Sequence, residues 1–192
     1  MGREFELKFG ATEEILSAVA EKYGPFATIS METTYYDTPD GALSRRHITL
    51  RRRMENGLSV CTVKTPLPDV SRGEWECHWE DPDTMVEELC KLGAPQELLH
   101  LTAGGIAPVC GARFQRLART VEGEGWSAEI ALDRGILLGG GREIPLCELE
   151  VELKSGEDGH ILAFAKALAA EYDLQPQKES KFRRAQRLAK GE

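Results

Sequence analysis

The chain has 192 residues and a formal net charge of −8 at pH 7, with 41% hydrophobic and 29% charged residues. That length and mix predict one globular domain spanning residues 1–192, and the acidic balance disfavours non-specific nucleic-acid binding, which rests on a basic surface. No basic segment with an apolar core opens the chain, and no apolar run approaches the roughly eighteen residues of a membrane span, so the expected setting is the cytoplasm, with no membrane partner. The five cysteines, Cys61, Cys77, Cys90, Cys110 and Cys147, are odd in number and form no CxxC pair. They predict reduced thiols, not a disulfide framework or a structural zinc site.

The first strand signal is Glu4-Phe5-Glu6-Leu7-Lys8. Side chains alternate across a strand, so Glu4, Glu6 and Lys8 share one face while Phe5, Leu7 and Phe9 share the other. A half-buried strand with its charges in water gives the same pattern, and this stretch alone does not decide between them. Thr12 before Glu13 and Glu14 predicts a capped helix ending near Gly24-Pro25. Residues 26–38, rich in β-branched and aromatic types, predict a strand that stops at Thr38-Pro39-Asp40-Gly41. His47 to Met54 and Leu58 to Thr65 flank Asn56-Gly57 as a hairpin, closed by Pro66 and Pro68. Residues 72–80 alternate again, with Arg72, Glu74, Glu76 and His78 opposite Gly73, Trp75, Cys77 and Trp79.

Helical spacing follows from Asp81 to Leu101, broken at Gly93-Ala94-Pro95. Strands are predicted from Ala107 to Val121, Trp126 to Asp133 and Ile144 to Lys154. Gly139-Gly140-Gly141 lacks a following Lys-Ser/Thr and lies between strands, so it reads as a hairpin loop and not as a P-loop. An amphipathic helix from Asp158 to Tyr172 and a basic one from Ser180 to Lys190 end the chain. The sum is an α+β fold with about eight antiparallel strands, the number whose closed barrel encloses a small ligand, and helices packed outside it.

The charges repeat at a spacing of two. Glu148-Leu149-Glu150-Val151-Glu152 mirrors the first strand, and the hairpin adds Arg51, Arg53 and Lys64. If these faces turn inward, acids suited to a hard divalent cation and bases suited to an anion share one wet interior. That combination serves chemistry on a chain of phosphates, in which guanidinium and ammonium groups stabilise the spreading negative charge. The four histidines show no ligand spacing, and no Ser/His/Asp or Cys/His set stands out.

The ordered series EFELK, YYDTPDGAL, LRRR, TVK, RGEWE, EIALDRG, ELEVELKSGE and SKFRR resembles the CYTH, or triphosphate tunnel metalloenzyme, superfamily, and most of all its bacterial inorganic triphosphatases. The resemblance implies an eight-stranded antiparallel tunnel holding Mg²⁺ or Mn²⁺ and a small polyanionic triphosphate. Carried over residue by residue, it implies metal binding by Glu4, Glu6, Glu148, Glu150 and Glu152, and phosphate binding by Lys8, Arg51, Arg53, Lys64, Arg72, Arg116, Lys181 and Tyr35. Glu4, Glu6, Lys8, Arg51, Arg53 and Lys64 are the implied catalytic set. Among Arg113, Arg116 and Arg119, Arg116 is favoured because it shares a face with Phe114; Glu129 and Asp133 stand either in the tunnel or as a strand end and a turn former. The implied activity is hydrolysis of tripolyphosphate to pyrophosphate and phosphate by a monomer or homodimer. A class IV adenylyl cyclase, a thiamine or nucleoside triphosphatase, and a non-catalytic polyphosphate-binding module are the alternatives.

Overall fold

A charged strand face can point into a barrel only if every neighbouring strand keeps the same in-and-out parity. The computed structural model describes residues 2–67 and 72–192, with side chains from Phe5 onward; Pro68 and the side chain of Glu4 lie outside the described residues. The N-terminal segment comprises β1 (Gly2–Glu4) and β2 (Glu6–Gly10), followed by α1 (Glu13–Tyr23), β3 (Ala27–Asp37) and α2 (Ala42–Arg45). Next come β4 (Thr49–Glu55), β5 (Leu58–Pro66), β6 (Arg72–His78), α3 (Met85–Lys91) and α4 (Glu97–Leu101). The second half holds β7 (Ala107–Gly123), β8 (Trp126–Gly139), β9 (Arg142–Ser155), α5 (Asp158–Glu171), β10 (Gln175–Pro176) and α6 (Lys181–Lys190).

The strands form one sheet in the order β1-β6-β5-β4-β3-β7-β8-β9-β2-β10, with every ladder antiparallel. Its two ends meet in a single stretch of chain, because β1 pairs with β6 while β2, just beyond Phe5, pairs with β9. With β1 and β2 counted as one strand and the two-residue β10 set aside, eight strands form the wall of a curled barrel. The register preserves parity around it. Tyr35 lies opposite Arg51, Arg51 opposite Thr62 and Thr62 opposite Glu76, while Glu6 lies opposite Glu152 and Glu152 opposite Glu129. The charged face of each strand therefore faces the same side of the sheet as its neighbour's.

The apolar face packs outward under helices. Phe9, Leu149 and Val151 join Leu16 and Val19 of α1 and Ile161, Ala165 and Leu168 of α5 in one cluster. On the other flank Leu50, Val63 and Trp75 join Met85, Leu89 and Leu98 of α3 and α4. Thr12 caps α1 by accepting a hydrogen bond from the Ile15 amide (3.3 Å), and Asn56-Gly57 makes its turn with φ of 49° and 86°.

Two features go beyond the sequence expectations. The strand after His47 begins at Thr49, because His47 holds a positive φ at the end of a turn. That turn follows α2, whose four residues are too few to show a helical period. Asp37 organises the segment: its carboxylate accepts from the amides of Thr38 (2.8 Å), Leu43 (3.0 Å) and Ser44 (3.2 Å).

The second is the position of α6, which fills one end of the barrel. Ala185 of α6 clusters with Ala112, Phe114, Leu137 and Leu146, residues that share the inward parity of Arg116, Asp133 and Glu148. Gln186 donates to the Ser44 hydroxyl (2.7 Å), tying α6 to the α2 turn. The helix backbone comes so close that a Cβ on Gly139 would lie 2.4 Å from the Ala185 carbonyl oxygen and 2.6 Å from the Ala189 nitrogen. Gly139→Ala is therefore expected to lower stability by about 1–3 kcal/mol in a urea titration, since backbone on both sides must move to admit one methyl group; a change near zero would refute the close packing of α6.

Candidate active site

Beside the apolar end, the interior opens into a cavity of about 330 Å³. Of the residues singled out by the sequence, Glu6, Lys8, Tyr35, Arg51, Arg53, Lys64, Arg72, Arg116, Glu150, Glu152 and Lys181 border it. Glu74, Glu76, Glu55, Glu129 and Lys154 join them on its wall. Glu148 shares the inward parity of Glu150 and Glu152 but is fully buried and belongs to a layer behind Lys181.

One wall is acidic. Glu6, Glu152 and Glu129 stand directly opposite one another on β2, β9 and β8. Like charges at opposed positions repel, so this row needs cations. Lys8 lies 3.1 Å from Glu6, and Lys154 lies 2.9 Å from Glu152 and 3.9 Å from Glu129. Burial works to lower the Lys8 pKa, but the Glu6 and Glu150 carboxylates outweigh it and raise the value.

The opposite wall is cationic. Arg53 is buried, donates to the Thr33 hydroxyl (3.0 Å) and reaches Glu55 at 3.5 Å. Its pKa is pulled down to about 10, first by burial and then by the Arg51 charge beside it. Arg51 and Lys64 share Glu74, at 3.9 and 3.4 Å, and the buried Nε of Arg51 has no hydrogen-bond partner. Arg72 is tied into the mouth, donating to the carbonyls of His47 (2.9 Å) and Lys64 (3.2 Å) and to the Thr49 hydroxyl (3.2 Å). Tyr35 is buried with its ring 5.1 Å from that of Phe182. Cations crowded this closely favour an anion among them.

Between the walls lies a buried ionic cluster. The Lys181 ammonium is 2.8 Å from Asp133, 2.6 Å from Glu148 and 2.6 Å from Glu150. Arg116 makes a fork with both oxygens of Asp133, each at 2.7 Å, and reaches Glu150 at 2.6 Å; Arg184 pairs with Glu148. Burial pushes the Glu150 pKa up, but Lys181, Arg116 and Lys8 hold it well below the usual carboxylate range. Arg53, Arg116 and Lys181 also surround the Phe114 ring, with their charges 5.8, 5.9 and 5.5 Å from its centre.

Several of these residues escape a reading of the sequence. Asp133 is fully buried and ion-paired, so of its two possible placements the inward one is found; its signal is the spacing of two that joins it through Ala131 to Glu129. Arg184 pairs inward where a solvated helix face is the simpler expectation. Arg113 stays at the surface beside an exposed Glu32 (3.6 Å) and Arg119 donates to the Pro25 carbonyl (3.3 Å), which leaves Arg116 as the inward member of that run.

A small antiparallel barrel whose polar site is its interior, with carboxylates on one wall and guanidinium and ammonium groups on the other, has the chemistry to meet a cation and an anion together. The CYTH domain model matches residues 2–185, and the chain belongs to that family. It is 28% identical over 193 residues to an inorganic triphosphatase of Haemophilus influenzae, a match that takes in 96% of this chain and 54% of that protein; the chain thus spans about half the length of this curated relative. Among solved structures, a protein of Pyrococcus horikoshii OT3 matches with a TM-score of 0.67 at 24% identity, covering 98% of this chain and 99% of that one. A Hippeastrum protein described as having a dominant triphosphatase activity matches with a TM-score of 0.65 at 19% identity, covering 93% of each chain. Both likenesses are of fold. No helix among the described residues is long and apolar enough to cross a membrane.

The buried cluster makes stability depend on Lys181. Lys181→Met leaves three carboxylates sharing two arginines in a dry site, and is expected to cost about 3–5 kcal/mol at pH 7. In the unaltered protein the depressed Glu150 pKa contributes stability that is present above the unfolded-state value and lost as pH falls through the lower folded one. Without the ammonium the lowering rests on Arg116 and Lys8 alone against burial, so the folded Glu150 pKa rises and the penalty shrinks as Glu150 takes up its proton. Urea titrations at pH 8 and pH 5 should show the deficit narrowing with acid; a deficit constant with pH would contradict the assignment.

Proposed function

We propose that the cavity hydrolyses inorganic triphosphate to pyrophosphate and phosphate with the help of a divalent metal ion. The observation that carries this reading is the cationic wall, where Arg51 and Arg53 of β4 and Lys64 of β5 face the cavity across from the Glu6–Glu152–Glu129 row. A chain of phosphates matches the first wall, and a hard cation matches the second.

The residues present fit such a cation. Their side chains are 24%, 29% and 25% exposed for Glu6, Glu152 and Glu129, so the row offers hard oxygen donors together with access for water. When bound there, the ion supplies neutralisation of phosphate oxygens and Lewis-acid polarisation. The chain's own groups do the rest. Arg51, Arg53, Lys64 and Lys8 grip phosphate oxygens and stabilise the charge that spreads over them in the transition state. The partnerless Nε of Arg51 and the lowered pKa of Arg53 both mark groups that gain from an incoming anion. The cavity-facing carboxylates of the acidic wall orient the attacking water.

The test is phosphate release from tripolyphosphate, thiamine triphosphate and ATP, each with Mg²⁺ and Mn²⁺, with cyclic AMP followed in the ATP reactions. Tripolyphosphate is expected to turn over fastest; cyclic AMP appearing faster than phosphate would replace this reading with that of a cyclase. Glu6→Gln and Arg53→Ala should each reduce tripolyphosphate turnover tenfold or more, about 1.4 kcal/mol of transition-state stabilisation at the least. Near-normal turnover by either folded variant would remove that residue from the site.

A further inference from the structure

Next to the cavity lies a second hollow of about 270 Å³, whose lining includes Ser44, His47, Pro66, Arg183 and Gln186. Four residues, Thr49, Arg72, Ser180 and Phe182, border both spaces and form the partition between them. The partition is held firmly. Arg72 reaches across from β6 and donates to the His47 carbonyl, the Thr49 hydroxyl and the Lys64 carbonyl. Ser180 caps α6 by accepting a hydrogen bond from the Arg183 amide (3.2 Å). Phe182 is buried, with its ring against that of Tyr35. The helix that carries it is anchored on both sides, through Lys181 to the three buried acids and through Gln186 to Ser44.

This partition stands across the path of a phosphate chain. Arg53, Arg51 and Thr49 occupy alternate positions of β4, all three border the cavity, and Lys64 lies opposite Thr49. An anion laid along that row from Arg53 toward Thr49 arrives at the partition. We propose that Phe182 is a specificity-determining residue, whose ring ends the phosphate chain, so that the cavity takes inorganic triphosphate and turns away longer linear polyphosphates. The proposal rests on the triphosphatase reading above and names what limits its substrate.

A phenyl ring offers a phosphate oxygen no hydrogen bond, and pressing a charged oxygen against it costs hydration that nothing there replaces. Beyond the ring the chemistry turns favourable again, because Arg183 and His47 line the second hollow and a guanidinium suits a phosphate. Room and donors for a further phosphate thus exist, and the ring is what separates them from the cavity. An obstruction of this kind rejects the longer chain without loosening the hold on the shorter one.

The test compares kcat/KM for tripolyphosphate and for linear tetraphosphate. In the unaltered protein tripolyphosphate is expected to lead by about tenfold or more, and comparable values would overturn the proposal. Phe182→Ala joins the two spaces and should narrow that ratio about tenfold by raising the tetraphosphate value; Phe182→Ala/Arg183→Ala should lose the gain. A folded Phe182→Ala with an unchanged ratio overturns the role of the ring, and a gain that survives the loss of Arg183 overturns the second hollow as the place where the chain continues. Phe182→Leu, which keeps an apolar side chain in the packing, is the variant to use should the alanine form fail to fold; its ratio should move the same way, and an unchanged one counts equally against the ring. No phosphate released from either chain by the unaltered protein would defeat the triphosphatase reading and the ring's role together, whereas tripolyphosphate hydrolysed without discrimination defeats only the ring.

Discussion

A charge placed inside a barrel must be cancelled where it stands, because several kilocalories per mole of lost hydration cannot be recovered at a distance. The Lys181 ammonium among Asp133, Glu148 and Glu150 is the fullest expression of that constraint here. Its consequences spread through the fold. To bring the ammonium in, α6 must enter the barrel end, so Ala112, Leu137 and Leu146 on inward positions are small or aliphatic. To admit the helix backbone, the last residue of β8 must be glycine, Gly139. To hold the helix, the α2 turn presents Ser44 to Gln186. A conspicuous sequence motif around Asp37 thereby acquires a structural account: its carboxylate closes the turn that Gln186 grips.

The interior divides into a buried layer and an open one. Behind Lys181 three acids meet three bases, with Asp133 and Glu148 fully buried. In front of it, Arg51 and Lys64 share Glu74, and Arg53 leans on a distant Glu55 and a hydroxyl, while across the cavity Lys8 and Lys154 stand beside the acidic row. Walls of opposite character facing one cavity suit a protein that binds an anion together with a metal. A metal-chelated polyphosphate would meet both walls at once, which is why the two support one function better than either does alone.

Much of the wall was legible from the sequence because strands have a period of two and the charges obey it. Glu6, Lys8, Arg51, Arg53, Glu150 and Glu152 can be assigned to one face by counting, and the ladders then place those faces side by side. Counting fails where depth along the barrel matters. Glu148 and Glu152 have the same parity, yet Glu148 is fully buried and Glu152 is part-exposed; no periodic pattern distinguishes them, since the difference comes from a helix thirty residues further on. Arg184 and Asp133 were obscured for the same reason: their surroundings are made by contacts between β7, β8, β9 and α6. The end plug was equally hidden, because the terminal helix reads as basic and solvated until its partners are known.

The first strand has a counterpart that only the register reveals. Glu150, Glu152 and Lys154 repeat the spacing of Glu4, Glu6 and Lys8, and the two strands run antiparallel with Glu6 opposite Glu152 and Lys8 opposite Glu150. Antiparallel pairing of two E-x-E-x-K stretches in this register sets a glutamate pair at the centre and a lysine–glutamate pair beside it. The centre is therefore acid against acid, the arrangement least stable by itself, and Glu129 from β8 adds a third carboxylate to it. A register moved by two residues would set Glu6 against Lys154 and Lys8 against Glu152 and so remove the glutamate pair. This acid-rich centre lies where the cavity is open to water, with Lys8 and Lys154 beside it, and a row of like charges with access to solvent is the physical reason to look for the metal there.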